Sequence, residues 1–284
     1  MELRTDLALE MQEQYPDCQG VKCTQTADGD VTVTDITVKT QEAARRLGRP
    51  EGKYITVALP PLTDHAFLPE EKYAAVSEVL SQMLPEEGTV LVAGLGNHSV
   101  TPDALGPRTV SMIPATRHIL AELSRTTDRS GLRSCAVIAP GVLGQTGVEA
   151  VELIASVCRA INPAAVIVID ALASRRLERL GCTIQISDAG IQPGAGVGNC
   201  RPSISRRELG VPVIAVGVPT VVDASTLAYD LTGGVTDAVK PEGRGMIVTP
   251  REIDLLIDRA ARLAALSVNH ALHPTVDPEE LIAL

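Results

Sequence analysis

The chain has 284 residues, 45% of them hydrophobic, yet only four Tyr, one Phe and no Trp, so its core must be built from Val, Ile, Leu and Ala. Thirty-five acidic residues against 25 basic ones give a formal charge of -10. That balance repels phosphate backbones and leaves little for base stacking, which excludes direct nucleic-acid binding as a first reading.

Taken in chain order, Thr5 to Glu10 is a short polar–apolar segment, and residues 28–30, with Gly29, mark a turn. Residues 31–39 alternate apolar and polar and predict a half-buried antiparallel strand, and residues 54–59 predict a second one stopped by Pro60-Pro61. Residues 20–60 therefore read as an N-terminal β excursion. From residue 69 the pattern becomes strand and helix in alternation. Apolar runs at 90–93, 136–139, 166–169 and 213–218 are short and free of charge, as strands buried on both faces are. Thr146-Gly147-Val148-Glu149 reads as a capping box opening a helix to residue 161. Thr249-Pro250-Arg251-Glu252 reads as a second, with Pro at the first helical position, opening a helix to residue 272. Residues 233–245 are polar and Gly-rich and predict an exposed loop. The expected fold is one α/β domain over residues 1–284: a mainly parallel, doubly wound sheet with helices on both faces, plus a small N-terminal antiparallel β element.

No apolar run approaches the roughly 18–20 residues of a membrane-spanning helix, and the charged start Met1–Asp6 lacks a signal-peptide core. The six cysteines have no metal-like spacing and read as reduced thiols of a cytoplasmic protein.

In an open α/β sheet the site lies beyond the carboxyl ends of the strands. The run 90–93 leads into Gly94-Leu95-Gly96-Asn97-His98-Ser99-Val100-Thr101-Pro102-Asp103; the run 166–169 ends in Asp170; the run 213–218 leads to Asp223. Gly94-x-Gly96 invites a dinucleotide reading but fails it, because Ser99 stands where the third glycine belongs and Pro102-Asp103 interrupts the helix start. Gly194-Ala195-Gly196-Val197-Gly198 lacks the Lys-Ser/Thr of a phosphate loop. Asp103 and Asp170 should reach one crevice, where two facing carboxylates share a proton and can act as base and acid. The competing reading makes each of them a helix cap. Asp188 and Asp223 read more readily as caps or turns. His98 reads as a solvated loop residue, and His270 and His273 as helix-end residues that interact with the dipole.

Several long motifs resemble the germination proteases of spore-forming bacteria. They include Arg4-Thr5-Asp6-Leu7-Ala8, Gly94-Leu95-Gly96-Asn97 with Val100 to Pro107, Pro140 to Gly147, Ile169-Asp170-Ala171-Leu172-Ala173-Ser174-Arg175 and Thr183-Ile184-Gln185-Ile186-Ser187-Asp188. Gly194-x-Gly196-Val197-Gly198-Asn199, Gly217 to Ala224 and the stretch from Val248 to His273 complete the likeness, which spans nearly the whole chain. The resemblance implies an α/β fold related to the hydrogenase-maturation peptidases. It implies an endopeptidase of the forespore and spore core that degrades small acid-soluble spore proteins at germination. It implies Asp103 and Asp170 as catalytic acids, no metal or organic cofactor, no membrane or direct nucleic-acid partner, and a homotetramer. It also implies a zymogen that cuts itself near its N-terminus. Substrates of the family carry an acidic residue, a bulky apolar one, Ala, and Glu two places further on. Thr5-Asp6-Leu7-Ala8-Leu9-Glu10 repeats that pattern, so Asp6–Leu7 is the expected self-cleavage bond and residues 1–6 the propeptide. Two departures stand out: the prosegment is shorter than the family's usual one, and so is the stretch 233–245 before the last helix.

These readings combine into an atypical aspartic-type hydrolysis by Asp103 and Asp170, assisted by backbone N–H groups of residues 94–97. Gly96, Asn97, His98, Asp188, Gly196 and Gly198 are candidate site-loop or substrate contacts, and Arg201 is a candidate partner for the acidic residue before the cut bond. The rivals are metal-assisted hydrolysis through Asp103, Asp170 and His98, and a module that binds such peptides without cutting them. Under the resemblance, the charge of -10 suggests an enzyme that meets its substrate off the DNA.

Overall fold

The structure, a computed structural model, describes residues 4–64, 69–123, 131–232 and 246–283, without the side chains of 121–123. The expected loop 233–245 and the first three residues of the expected propeptide lie outside the described residues.

The N-terminal part runs α1 (Ala8–Gln14), β1 (Val21–Asp28), β2 (Val31–Val38), α2 (Gln41–Leu47), β3 (Gly52–Ala58) and α3 (Glu70–Met83). Then come β4 (Val90–Gly94), α4 (Leu105–Val110), α5 (Arg117–Leu123), β5 (Cys135–Ile138), α6 (Leu143–Thr146), α7 (Ala150–Ile161) and β6 (Ala165–Ser174). The last part comprises β7 (Thr183–Ser187), α8 (Arg206–Leu209), β8 (Val213–Asp223), α9 (Ala224–Thr232), β9 (Ile247–Val248), α10 (Ile253–Leu272) and α11 (Pro278–Ile282). The strands form one sheet of order β1-β2-β3-β7-β8-β6-β4-β5, with β9 on β8. Its core, β8-β6-β4-β5, is parallel. The pairs from β1 to β8 through β7, and β8 with β9, are antiparallel.

Alternation within the core strands sends side chains to two cores. Val90 and Val92 of β4, with Ile167 and Ile169 of β6, pack against α3 and α10. Leu91, Ala93, Val166 and Val168 pack on the other face against Ile154 and Cys158 of α7. Apolar residues on both faces are what a parallel sheet covered on both sides requires. A third cluster joins Ala8 and Leu9 of α1 to Ile36, Val38, Leu47 and Tyr54.

The expected N-terminal antiparallel β element is present, and it continues the main sheet through the pairing of β3 with β7. Expectation and structure differ in three places. The alternating run Thr183-Ile184-Gln185-Ile186-Ser187 was not expected as a strand; all five residues of β7 are buried, because Gln185 spends its polar atoms on the N-terminal segment. β6 and β8 run on past Ile169 and Val218 to Ser174 and Asp223, so Asp170 sits within a strand instead of capping a helix. Neither expected capping box forms. Thr146 ends α6, and Glu149 caps α7, its N–H donating to Glu152 Oε2 at 3.0 Å. α10 starts after Glu252 without a side-chain cap. Among the described residues no helix is long and apolar enough to cross a membrane.

Candidate active site

Asp103 is carried on a turn that folds back over the end of β4. Leaving Gly94, the chain passes through residues 95–100 into a single 3-10 turn, Thr101–Asp103, which α4 follows. Leu95 N–H donates to Ile169 carbonyl oxygen at 2.8 Å, and Thr220 hydroxyl to Pro102 carbonyl oxygen at 2.9 Å, fastening the turn to β6 and β8. Asn97 organises it from inside: its N–H donates to Asp103 Oδ2 at 2.8 Å, and its Oδ1 accepts from Ser99 N–H at 2.9 Å and Gln145 Nε2 at 2.8 Å.

The glycines that resembled a failed nucleotide motif make this docking possible. A Cβ on Gly94 would lie 2.2 Å from Gly106 carbonyl oxygen, and one on Gly106 would lie 2.2 Å from Leu95 carbonyl oxygen. Gly96, at φ +111, backs onto Asp103, whose carbonyl oxygen would stand 2.0 Å from an added Cβ. Their absence of side chains lets two backbones touch where Asp103 must meet the strand ends.

Asp170 faces the same space from β6. It is 6% exposed, and its Oδ1 accepts from Ala171 N–H at 2.9 Å. Asp103, Asp170 and Asp6 line one cavity of about 470 Å³, whose walls include Leu95, Val142 and Val197. Burial pushes the Asp170 carboxyl well above the usual carboxylate range, and the neighbouring carboxylates of Asp103 and then Asp6 push it further. Burial also raises Asp103, against the lowering effect of Asn97 N–H. Asp6 is raised by burial too, opposed by the N–H groups of Ala173 and Gly196 and by the Arg49 charge. A low-dielectric cleft with clustered acids holds protons that isolated carboxylates would release.

The expected self-cleavage bond borders this cleft. β4 ends at Gly94, opposite Ile169, while β6 runs on to Ser174, and the N-terminal segment docks on that extension. Asp6 N–H donates to Ala173 carbonyl oxygen at 2.7 Å, and Ala173 N–H to Asp6 Oδ2 at 2.8 Å. Leu7 is fully buried, and its N–H donates to Thr5 Oγ1 at 3.0 Å. The Gly-rich loop closes over the segment. An added Cβ on Gly196 would lie 2.3 Å from Asp6 Oδ2, and one on Gly198 would lie 2.6 Å from Arg4 Nη1.

Other candidate residues fall elsewhere. His98 is exposed and does not line the cavity. Asp188 accepts from Lys53 N–H at 2.6 Å, tying β3 to the end of β7, and is likewise outside the cavity. Asp223 accepts from Thr226 N–H at 3.0 Å and pairs with Arg4 at 3.7 Å, as a helix cap does. Arg201 lines the cavity but stands 3.7 Å from Glu149; the acid before the expected cut bond rests instead on Ala173, Gly196 and Arg49. Of the N–H groups proposed for oxyanion stabilisation, those of Leu95 and Asn97 are already taken by Ile169 and Asp103. His273 is no dipole-stabilised cation. It is fully buried, its Nδ1 accepts from Arg133 N–H at 3.1 Å, and burial, then the Arg133 charge, hold it down at about 4. Among the described residues no three His, Cys, Asp or Glu side chains group as metal ligands, and all six cysteines are free.

Sequence reasoning missed Gln185, Arg49 and Arg179, and it read Glu10 only as the last residue of the substrate-like pattern. Gln185 Nε2 donates to Asp6 carbonyl oxygen at 3.1 Å, and its Oε1 accepts from Ala8 N–H at 2.7 Å. The available signal was a glutamine between two isoleucines in a short apolar run.

The germination protease family model matches residues 1–233. A germination protease of Clostridium perfringens is 41% identical over 320 aligned residues, covering 98% of each chain. One from Caldanaerobacter subterraneus is 40% identical over 314, covering 98% of this chain and 97% of the relative. One from Bacillus subtilis is 34% identical over 351, covering 98% and 95%. Among solved structures, the [NiFe] hydrogenase maturation protease HycI of Thermococcus kodakarensis aligns at 18% identity and a TM-score of 0.39, over 68% of this chain and 98% of that one. The protein is thus a hydrolase of the peptidase class. More particularly, the chain belongs to the germination protease family.

Proposed function

We propose that the chain is an endopeptidase of spore germination that hydrolyses small acid-soluble spore proteins with Asp103 and Asp170, after first cutting its own Asp6–Leu7 bond. The observation that carries this reading is the convergence of Asp103, Asp170 and the chain's own Asp6 on one cavity. Asp170, the more deeply buried and more strongly raised acid, holds the shared proton; Asp103, half-buried and bonded by Asn97 N–H, is the ionised member. Asp103 draws a proton from water as the water oxygen attacks the carbonyl carbon before the cut bond. Asp170 protonates the departing nitrogen, the C–N bond breaks, and the new carboxylic acid passes its proton to the released amine, so the products are a carboxylate and an ammonium. The pair ends with its one proton on Asp103, which passes back to Asp170. Substrates present the same arrangement as the intact N-terminus, with an acid before the bond and an apolar residue after it.

Mass spectrometry of the purified chain, alone and mixed with a small acid-soluble spore protein, tests both steps. A processed chain beginning at Leu7 is expected, with substrate cut after an acid. Asp103→Asn and Asp170→Asn should each stop both reactions. Full activity in either variant removes that residue from the mechanism, and binding without cutting by the wild-type chain replaces the enzyme with a peptide-binding module.

A further inference from the structure

The N-terminal segment is held by more contacts than anchoring a chain end requires, and they fall into two kinds. The first grips backbone. Gln185 spans the Asp6–Leu7 bond, donating to Asp6 carbonyl oxygen at 3.1 Å and accepting from Ala8 N–H at 2.7 Å. Such a clamp ignores side chains and would hold any extended peptide. The second grips one side chain. Glu10 is 3% exposed; its Oε2 accepts from Arg175 N–H at 2.7 Å, its Oε1 from Arg176 N–H at 3.0 Å, and Arg179 Nε stands 3.5 Å from Oε1. Two converging N–H groups and a guanidinium make a socket for a carboxylate. The Arg179 guanidinium bridges two acids, with Nη2 donating to Glu13 Oε1 at 2.5 Å while Nε, which makes no hydrogen bond, stands beside Glu10.

We propose that Gln185 and the socket formed by Arg175 N–H, Arg176 N–H and the Arg179 guanidinium are the peptide-reading groups of this enzyme. On this proposal, which rests on the function proposed above, Thr5–Glu10 fills the seat in the uncut chain, and a substrate takes the same seat with its own glutamate four residues after the bond. Cutting also loosens the occupant. Leu7 nitrogen becomes an ammonium in fully buried surroundings and loses Thr5 Oγ1, its one named partner. Gln185 is a positioning residue; Arg179 sets specificity.

The test is peptide binding by the full chain, read by fluorescence anisotropy, which needs no cutting. The probes are a labelled peptide of sequence Arg-Thr-Asp-Leu-Ala-Leu-Glu-Met and its twin with Gln in place of Glu. Glu10→Gln weakens the chain's hold on its own segment, so this variant should bind the Glu peptide about tenfold more tightly than the wild-type chain does, the scale of one charge-assisted contact. It should also favour the Glu peptide over its twin by about as much. Adding Arg179→Ala should abolish that preference, and Arg179→Lys should retain part of it. Adding Gln185→Ala should weaken both peptides alike. Because the preference is a ratio within one sample, partial unfolding scales both arms equally. The proposal is overturned if Glu10→Gln gains no affinity, or if Arg179→Ala leaves the preference intact. If the preference behaves as stated but neither peptide is ever cut, the seat stands and the proposed function falls.

Discussion

Gly106→Ala isolates the feature on which the position of Asp103 depends. The added Cβ would lie 2.2 Å from Leu95 carbonyl oxygen, 2.5 Å from Leu95 nitrogen and 2.6 Å from Ile169 carbonyl oxygen. Real Cβ atoms essentially never come within 3.0 Å of a neighbour, and all three of these are backbone atoms, two just past the end of β4 and one within β6. No side-chain rotation relieves the clash, so α4 must withdraw by at least about 0.8 Å, the difference between 2.2 and 3.0 Å. Overpacking of this kind destabilises by roughly 1–3 kcal/mol. At about 2–4 °C per kcal/mol for a chain near this size, melting should fall by roughly 2–12 °C. Asp103 lies three residues before Gly106 and moves with it, and a displacement near 1 Å at a reacting group costs about 100-fold in rate. Thermal melting and the rate at which chains beginning at Leu7 appear measure the two effects on one sample. Gly144→Ala is the control: a Cβ there meets nothing within 4 Å, and Ala in α6 should be neutral or stabilise by about 0.5–1 kcal/mol. If Gly106→Ala melts and processes like the wild-type chain, close backbone contact is not what sets Asp103.

Asp170→Asn should lose activity yet gain stability at neutral pH. Burial and the Asp103 and Asp6 carboxylates raise the folded-state pKa above the unfolded one. The folded chain therefore binds more protons than the unfolded chain between the two values, and stability falls as pH rises through that window. Asn removes the charge, so melting of the variant should exceed that of the wild type most clearly at pH 7 and above; equal melting at all pH values would contradict the raised pKa. His273 acts on the acid side. Its folded value of about 4 lies below the ordinary 6.5, so its contribution is complete above pH 6.5 and is lost as pH falls toward 4, on the order of 1–3 kcal/mol. Urea unfolding at pH 7, 5.5 and 4.5 should show that slope in the wild type and a flatter one in His273→Asn.

Much of the core was legible because parallel strands buried on both faces must be apolar throughout. The runs at 90–93, 166–169 and 213–218 all became central strands. β7 was illegible for a matching reason: Gln185 looks like a solvent-facing residue in sequence, and only the N-terminal segment that covers it makes it buried. The same gap hid the partners of Glu10, which come from the turn after β6, some 165 residues away. Asp103 and Asp170 line one cavity because β4 and β6 are parallel neighbours and Asp170 follows Ile169, the residue opposite the carboxyl end of β4. The expected capping boxes needed only four residues each, and the helices start elsewhere: α7 after Glu149, which forms its own box with Glu152, and α10 after Glu252 without a side-chain cap.

The competing readings of the two aspartates, cap or chemistry, separate on their partners. Buried acids that hold this fold together are fully supplied: Glu10 has two N–H donors and Arg179, and Asp223 has Thr226 N–H, the Thr226 hydroxyl and Arg4. Each of these carboxylates has a guanidinium within ion-pair distance. Asp103 and Asp170 each accept one backbone N–H, from Asn97 and Ala171, and among the described residues neither pairs with a cation. Asp170 lies inside a strand, where there is no helix N-terminus to cap, and Asp103 spends its oxygen on the turn that presents it. Glu10 and Asp223 have cations beside them, whereas Asp103 and Asp170 line a largely apolar cavity without one. A carboxylate left without a cation in such surroundings lowers stability, and that cost is a reason to read the pair as chemistry rather than as caps.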